Sequence, residues 1–403
     1  MTRSSYSPQP THSAQTGDTQ PRDTRPRDTR PRGARQPTPG SEIRPSYASQ
    51  LPIVDLSAAD RGPQARRLLH AQLHSAAHDV GFFQLVGHGV TEAETRALTS
   101  AMRAFFALPE ADRLALDNIN SPHFRGYTRI GDERTAGARD WRDQLDIGAE
   151  RTAHAPAPWE APYWWLEGPN QWPAALPELR TAALHWIDRL SGVAERLLHE
   201  LLTSIGAPAD YYDDIFGPRA HPHLKLVRYP GSSGEGDDQG VGAHKDYGFL
   251  TLLLQDQVGG LQVQREDGEF HDVPPLPGAF VVNLGELLEV ATNGYLIATN
   301  HRVVSPPGAT ERYSVPFFYN PRLDARIAPL TFPYASTAPG VTADPANPLF
   351  AEYGRNELKG KLRAHPLVAA RHHADLLLHP EAYPAALASP ARPARPGQPA
   401  MSA

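Results

Sequence analysis

The chain has 403 residues and a formal net charge of −6, with 39 basic against 45 acidic side chains and no cysteine. The length allows one large domain or two modest ones, and the charge gives no overall attraction to nucleic acid or an anionic membrane. Disulfides, thiolate zinc sites, iron–sulfur clusters and thiol nucleophiles are excluded, so any metal must be held by His, Asp or Glu.

No apolar run approaches the roughly 20 residues of a membrane span. The first residues also lack the apolar stretch of a signal peptide, so the cytoplasm is the expected location. Residues 1–48 are rich in Pro, Thr, Ser, Gln and Arg and read as a disordered basic tail, with Pro-Arg-Asp-Thr-Arg repeated at 21–25 and 26–30. Residues 49–215 read as a helix-rich region. Leu51–Leu56 is a short strand, and a helix over 64–80 carries Leu68, Leu69, Leu73, Ala76 and Ala77 at helical spacing. Gly81–Val90 is a buried strand closed by glycines, and further helices span 92–107 and 177–205, the second opened by Pro177.

From 216 to 330 the pattern changes to short β-runs separated by Gly/Pro turns: Leu224–Tyr229, Leu250–Gln255, Leu261–Arg265, Phe280–Leu284, Ile297–Val304 and Tyr313–Tyr319. Such spacing suggests a sandwich, jelly roll or small barrel, making the whole an α+β protein. Residues 331–383 hold a last helix at about 349–376, and 384–403 form a loose Ala/Pro-rich tail.

One ordered set of polar residues stands out within the β-rich part. His244 and Asp246 are two apart, so in extended backbone both face the same way, and His301 follows on a later strand. Two imidazoles and one carboxylate on one face of a divalent iron leave positions open for a cosubstrate and dioxygen. Arg312 and Ser314 come next, a guanidinium and a hydroxyl on one strand face, suited to gripping the far carboxylate of a dicarboxylic acid.

The segment from about Leu51 to Ala374 resembles the iron(II)- and 2-oxoglutarate-dependent oxygenases of the isopenicillin N synthase-like family. The resemblance is carried by Leu51–Leu56 with Asp79–Val90, by His244-Lys245-Asp246-Tyr247-Gly248-Phe249-Leu250-Thr251, and by Val282–Glu289, His301-Arg302-Val303 and Arg312–Phe318. It implies a double-stranded β-helix (jelly-roll, cupin-like) core with flanking helices. It also implies Fe(II) held by His244, Asp246 and His301, 2-oxoglutarate anchored by Arg312 and Ser314, and dioxygen as co-reactant. Tyr229 matches a family position near the cosubstrate, while a barrel-wall aromatic is an equal reading. The family often has Asn where Arg228 stands. The implied activity is oxidation of a small organic substrate by hydroxylation, desaturation or cyclisation, with release of succinate and CO2. A natural-product tailoring step or oxidation of a small amino or organic acid would both fit. Relatives that work without 2-oxoglutarate or that form ethylene keep the same Arg-x-Ser, and a metal-bearing binding protein without turnover is a third reading.

The remaining candidates divide between structure and substrate. His88 reads as a structural residue in a glycine turn, His221 and His223 as a pair without a third ligand, and Glu286 and Glu289 as flanking a short helix. His372 and His373 are expected to face solvent. The acidic glycine loop at 234–238 lacks the spaced ligands of a calcium site. In the family, side chains near Phe124–Tyr127 and Asp140–Asp143 line the barrel mouth. Arg125, Tyr127, Arg129 and Arg142 therefore either meet a polar or anionic substrate or pair with Asp132, Glu133, Asp140 and Asp143.

Overall fold

The computed structural model describes residues 50–157, 159–232, 239–341 and 347–378. The N-terminal tail, the acidic glycine loop and the C-terminal tail lie outside them. The N-terminal part contains β1 (Ile53–Asp55), α1 (Pro63–Ser75), β2 (Phe82–Val86), α2 (Glu92–Phe106) and α3 (Glu110–Leu114). Four short strands follow, β3 (Gly126–Thr128), β4 (Arg134–Thr135), β5 (Ala138–Arg139) and β6 (Asp143–Gly148), then α4 (Pro177–Ser204) and α5 (Asp213–Phe216). The β-rich part contains β7 (His223–Tyr229), β8 (Gln239–His244), β9 (Leu250–Gln255), β10 (Leu261–Gln264), β11 (Phe270–Asp272), β12 (Phe280–Leu284), α6 (Glu286–Ala291), β13 (His301–Val304) and β14 (Arg312–Tyr319). Helices α7 (Tyr353–Ala364), α8 (Pro366–His372) and α9 (Ala374–Leu378) end the described chain.

Apart from the β10–β11 hairpin, successive strands of the β-rich part alternate between two sheets. The large sheet runs β1-β2-β12-β9-β14-β7-β6-β3 and the small one β11-β10-β13-β8. This alternation makes the double-stranded β-helix, and the N-terminal strands extend its large sheet on both edges.

The large sheet is apolar on its outer face, where α4 packs across β7, β9 and β14. Along α4, Leu179, Ala183, Trp186, Leu190, Leu197 and Leu201 recur at helical spacing and are buried. On β14, Tyr313, Val315, Phe317 and Tyr319 join the same core. Period two then sends Arg312, Ser314, Pro316 and Phe318 into the space between the sheets, where all four line one cavity. A smaller apolar cluster, with Val227, Tyr229, Val241, Leu261, Val263, Val281 and Val303, fills the rest of the interior. The β7–β14 pairing lapses between Ser314 and Phe317, around Pro316, which has no N–H to donate.

Several expectations shift. The helix expected over 64–80 is α-helical only to Ser75 and closes in a wider π-turn over Ala76–Val80, with Gly81 at φ +68°. The strand expected from Ile297 begins only at His301, because Ile297 N–H bonds Ala77 O (3.2 Å) and Ala298 N–H bonds a Glu289 carboxylate oxygen (3.1 Å). The final helix is three helices, broken before Pro366 and again at His373. His373 does not face solvent: it is buried, its Nε2 is 2.9 Å from Pro122 O, and its ring stacks on Phe124.

At the start of α6 the backbone runs hard against the turn after β8. A Cβ on Gly285 would lie 2.2 Å from the Gly248 carbonyl oxygen, which leaves no room for a side chain. Gly285→Ala is therefore expected to lose about 1–3 kcal/mol through overpacking, read as a lower urea midpoint at unchanged slope.

Candidate metal centre and cavity

His244 ends β8, His301 begins β13, and antiparallel pairing sets the two directly opposite each other. Asp246 lies two residues past His244, in the turn rather than on the strand. One ligand atom from each of the three lies within 4.8 Å of the others. Hydrogen bonds hold each group. Asp246 Oδ2 accepts from Thr251 Oγ1 (2.5 Å) and Asn283 Nδ2 (2.8 Å), while Asp246 Oδ1 sits 3.6 Å from His244 Nε2. His244 Nδ1 is 2.8 Å from Gly242 O, and His301 Nδ1 is 3.2 Å from Thr299 O. A carbonyl only accepts, so each Nδ1 carries the proton and each Nε2 is left with a free lone pair.

The electrostatics agree with a ligand set. Burial, reinforced by the neighbouring His244, pulls His301 down to about 4. Burial also pulls His244 down. Burial pushes the Asp246 carboxyl up, but His301, His244 and the two hydrogen bonds outweigh it and hold the group below its usual value. Two neutral imidazoles and one carboxylate is the donor set that a non-haem Fe(II) takes.

Glu289, on α6, links the two chain segments that carry these groups. Its carboxylate pairs with Lys245 Nζ (3.0 and 3.3 Å), between the first two candidate ligands, and accepts the Ala298 N–H (3.1 Å), three residues before the third. Sequence reasoning placed Glu289 beside a short helix and missed this clamp. Its only signal was an acidic residue following an apolar strand.

On the other side of the histidines, Arg312 is fully buried opposite Tyr229, its guanidinium carbon 4.7 Å from the centre of that ring. Its Nε donates to Gly259 O and its Nη2 lies 3.5 Å from Gln255 Oε1, but Nη1 is buried without a hydrogen-bond partner among the described residues. An unpaired guanidinium donor near the buried Ser314 is what a carboxylate would satisfy. Arg228 takes no part. It faces the opposite side of β7 and grips Asp143 with Nε (3.0 Å) and Nη2 (2.8 Å).

His244, Asp246 and His301, with Lys245, Thr251, Asn283, Tyr229, Arg312 and Ser314, line one cavity of about 290 Å³. Arg142 reaches it too, but its Nη2 is committed to Glu133 (2.9 Å) and Asp140 (3.2 Å). Lys225 also pairs with Glu133 (2.8 Å). The expectation that Arg125 and Tyr127 line the mouth is corrected. Arg125 is buried outside the cavity, among the charges of Glu357 and Asp146. Tyr127 donates to Asp143 (2.9 Å) and lies 3.2 Å from Arg113. Arg129 pairs at the surface with Asp117 (3.3 Å). His223 is buried 2.8 Å from Asp146, inside the same network of charges.

The descriptions of two family models match the chain: a non-haem dioxygenase N-terminal region over residues 51–175 and the 2OG-Fe(II) oxygenase superfamily over 220–321. A relative from the fungus Dothideomycetidae sp., the 2-oxoglutarate-dependent dioxygenase frbJ, is 37% identical over 294 residues, covering 72% of this chain and 78% of its own. A homoarginine-6-hydroxylase from Glycine max is 32% identical, covering 70% and 88%. Among solved structures, a full-length Neurospora crassa protein in complex with alpha-KG superposes with a TM-score of 0.60 at 26% identity, covering 73% of this chain and 91% of that one. JOX2 in complex with 2OG, Fe and JA gives 0.56 at 30% identity, covering 70% and 78%. The chain belongs to the 2OG-Fe(II) oxygenases of the isopenicillin N synthase-like superfamily. It is a 2-oxoglutarate-dependent dioxygenase that takes Fe(II), and its substrates are small molecules. Among the described residues no helix is long and apolar enough to cross a membrane.

Removing the Glu289 carboxylate frees both ligand-bearing segments while leaving every ligand in place. Glu289→Ala is expected to weaken Fe(II) binding by roughly 10- to 100-fold, measured by anaerobic metal titration.

Stability of the metal-free protein follows from the histidines. Burial holds His365, like His301, down to about 4, against about 6.5 in an unfolded chain. Between those values the unfolded chain binds protons that the folded one refuses. Stability is therefore full above pH 6.5 and falls as pH drops toward 4. Urea midpoints across that range should decline steadily; a flat profile contradicts the neutral, buried state of both rings.

Proposed function

We propose that His244, Asp246 and His301 hold the Fe(II), that Arg312 and Ser314 anchor the far carboxylate of 2-oxoglutarate beside Tyr229, and that the enzyme hydroxylates a small polar molecule in the cytoplasm. The observation that carries this reading is the convergence of two Nε2 lone pairs and one carboxylate oxygen on a cavity that also holds an unpaired guanidinium donor. Relatives named homoarginine-6-hydroxylase support hydroxylation as the outcome.

When bound, the metal and cosubstrate supply an oxidant formed as dioxygen is consumed and 2-oxoglutarate is decarboxylated to succinate and CO2. The protein's residues do the positioning. Thr251 and Asn283 fix one oxygen of Asp246 and leave the other for the metal. Gly242 and Thr299 carbonyls orient the imidazoles. Arg312 offers its positive charge in a dry setting, where a carboxylate is bound more strongly than in water, and the Tyr229 face limits how the guanidinium can turn. Phe82, Leu253, Leu261 and Val303 line the same cavity and keep water from the reacting centre.

Succinate formation from 2-oxoglutarate with ferrous iron tests the reading, and His244→Ala is expected to abolish it. Arg312→Gln leaves a buried carboxylate without its partner. It is expected to weaken 2-oxoglutarate binding by about 2–5 kcal/mol, tens- to thousands-fold in Kd, seen by calorimetry. Normal turnover by His244→Ala would sink the assignment.

A further inference from the structure

We infer that the substrate presents a cationic nitrogen donor, an ammonium or guanidinium group, to an acceptor cluster formed by Glu286, Asn320 and Glu357 around the Asp246–Gly248 turn. The inference rests on the iron and 2-oxoglutarate sites proposed above.

Each member of the cluster lines the cavity that holds the candidate iron ligands. Glu286 is the first residue of α6, and its N–H donates to Asp246 O (2.7 Å), so it stands one backbone hydrogen bond from a candidate iron ligand. Its half-buried carboxylate has no hydrogen bond or ion pair among the described residues. Asn320, just past the end of β14, is the next cavity-lining position after Phe318. It is buried, its Oδ1 has no hydrogen-bond partner among the described residues, and a Cβ at Gly248 would lie 1.9 Å from that oxygen. Glu357, on α7, accepts from the Tyr353 hydroxyl with Oε2, and the Tyr247 hydroxyl faces the same carboxylate. Its buried Oε1 has no hydrogen bond among the described residues, with His223 Nδ1 at 3.9 Å. One turn further on, a Cβ at Gly360 would lie 2.8 Å from the Tyr247 ring. The three acceptors thus border the same three-residue turn.

The cavity is polarised along β14. Two buried nitrogen donors without hydrogen bonds among the described residues, Arg312 Nη1 and Arg142 Nε, lie on the side of Tyr229, which neighbours both arginines. Asn320 is eight residues further along the chain, a span of roughly 26 Å when extended. The donor end suits the dianion 2-oxoglutarate, and the acceptor end suits a cation.

The lysines that line the cavity hydrogen-bond elsewhere, although Lys245 and Lys359 lie near enough to Glu286 to act on it through space. Lys361 is held by Asp146 (3.1 Å), Lys245 by Glu289 (3.0 Å), Lys225 by Glu133 (2.8 Å), and Lys359 Nζ donates to Pro348 O (2.7 Å). His365 Nδ1 accepts from Asn118, so its Nε2 is a donor, and that donor lies 3.7 Å from Glu133. A neutral or anionic substrate would leave the half-buried Glu286 carboxyl next to Asp246 without a hydrogen-bond partner among the described residues. An ammonium or guanidinium group would satisfy it with charge-assisted hydrogen bonds.

The test uses anaerobic full-length protein loaded with Fe(II) and 2-oxoglutarate, titrated by calorimetry with matched probes: L-arginine against L-citrulline, and n-butylamine against n-butanol. At least one charged probe is expected to bind roughly 10- to 100-fold tighter than its neutral counterpart. Glu286→Gln is expected to bring that ratio close to one. The inference is overturned if no charged probe outbinds its neutral partner, including the case in which none binds, or if the preference survives in Glu286→Gln. A wild-type control separates the two levels: the visible charge-transfer band on adding 2-oxoglutarate, and succinate release without substrate. If both are absent, the underlying reading fails and takes the inference with it. If they are present without cation preference, the inference alone fails.

Discussion

The pairing of β13 on β8 sets His301 across from His244, and the centre depends on that register. A slip of one residue would turn His301 to the other face of the small sheet and put Arg302 in its place. The register is held by apolar side chains more than by the histidines themselves. Val241 and Val303 point into the interior cluster with Leu261 and Val263, so a slipped pairing would also carry buried valines out to the other face. Beyond the strands, Glu289 ties the turn carrying Lys245 to the segment ending in His301, adding a polar constraint where regular pairing stops.

In the cavity wall and just behind it lies a second constraint of a different kind. Glu133, Asp140 and Asp146 are buried, and so are Arg142, Lys225 and Lys361. Burial alone would push the Glu133 and Asp146 carboxyls up, but the adjacent cations hold both below their usual range. Such a network adds little net stability compared with apolar packing, yet breaking one partner leaves an uncompensated charge. It therefore fixes geometry: β4, β6, β7 and α7 must meet in one arrangement for the charges to cancel. Arg142, read from sequence as a candidate to touch substrate, spends its Nη2 inside this network and lends rigidity to the cavity wall.

What was legible in the sequence was whatever local patterns encode. Alternation on β14 put Arg312 and Ser314 on one face, and glycine and proline punctuation marked β9 and β12 to the residue. β8 was harder to see because Gly240 and Gly242 interrupt its apolar pattern, so the strand carrying His244 was recognised by its ligand motif. Asp246 also reaches the histidines differently from the strand alternation expected of it. It sits in the turn, aimed by Thr251 and Asn283. Partners distant in sequence were not legible. Arg125 and Tyr127 are polar residues in a loop-rich stretch, which reads as a surface or a binding mouth. Only the packing of α7 and β6 around them supplies the acids that make them interior.

The same alternation that makes the barrel also orders its polarity. Inward positions run from Arg312 through Ser314, Pro316 and Phe318 on β14 to Asn320 just past its end, from a buried cation to a neutral amide whose oxygen has no partner among the described residues. Strand β12 places Asn283 inward and then hands the chain to α6, whose first residue, Glu286, has no side-chain hydrogen bond among the described residues. The candidate iron ligands lie between, on strands of the opposite sheet and the turn that leaves it. Two charged molecules of opposite sign can then share one small interior without facing each other directly. Their order is set by which end of β14 each one meets, and no separate binding domain is needed to keep them apart.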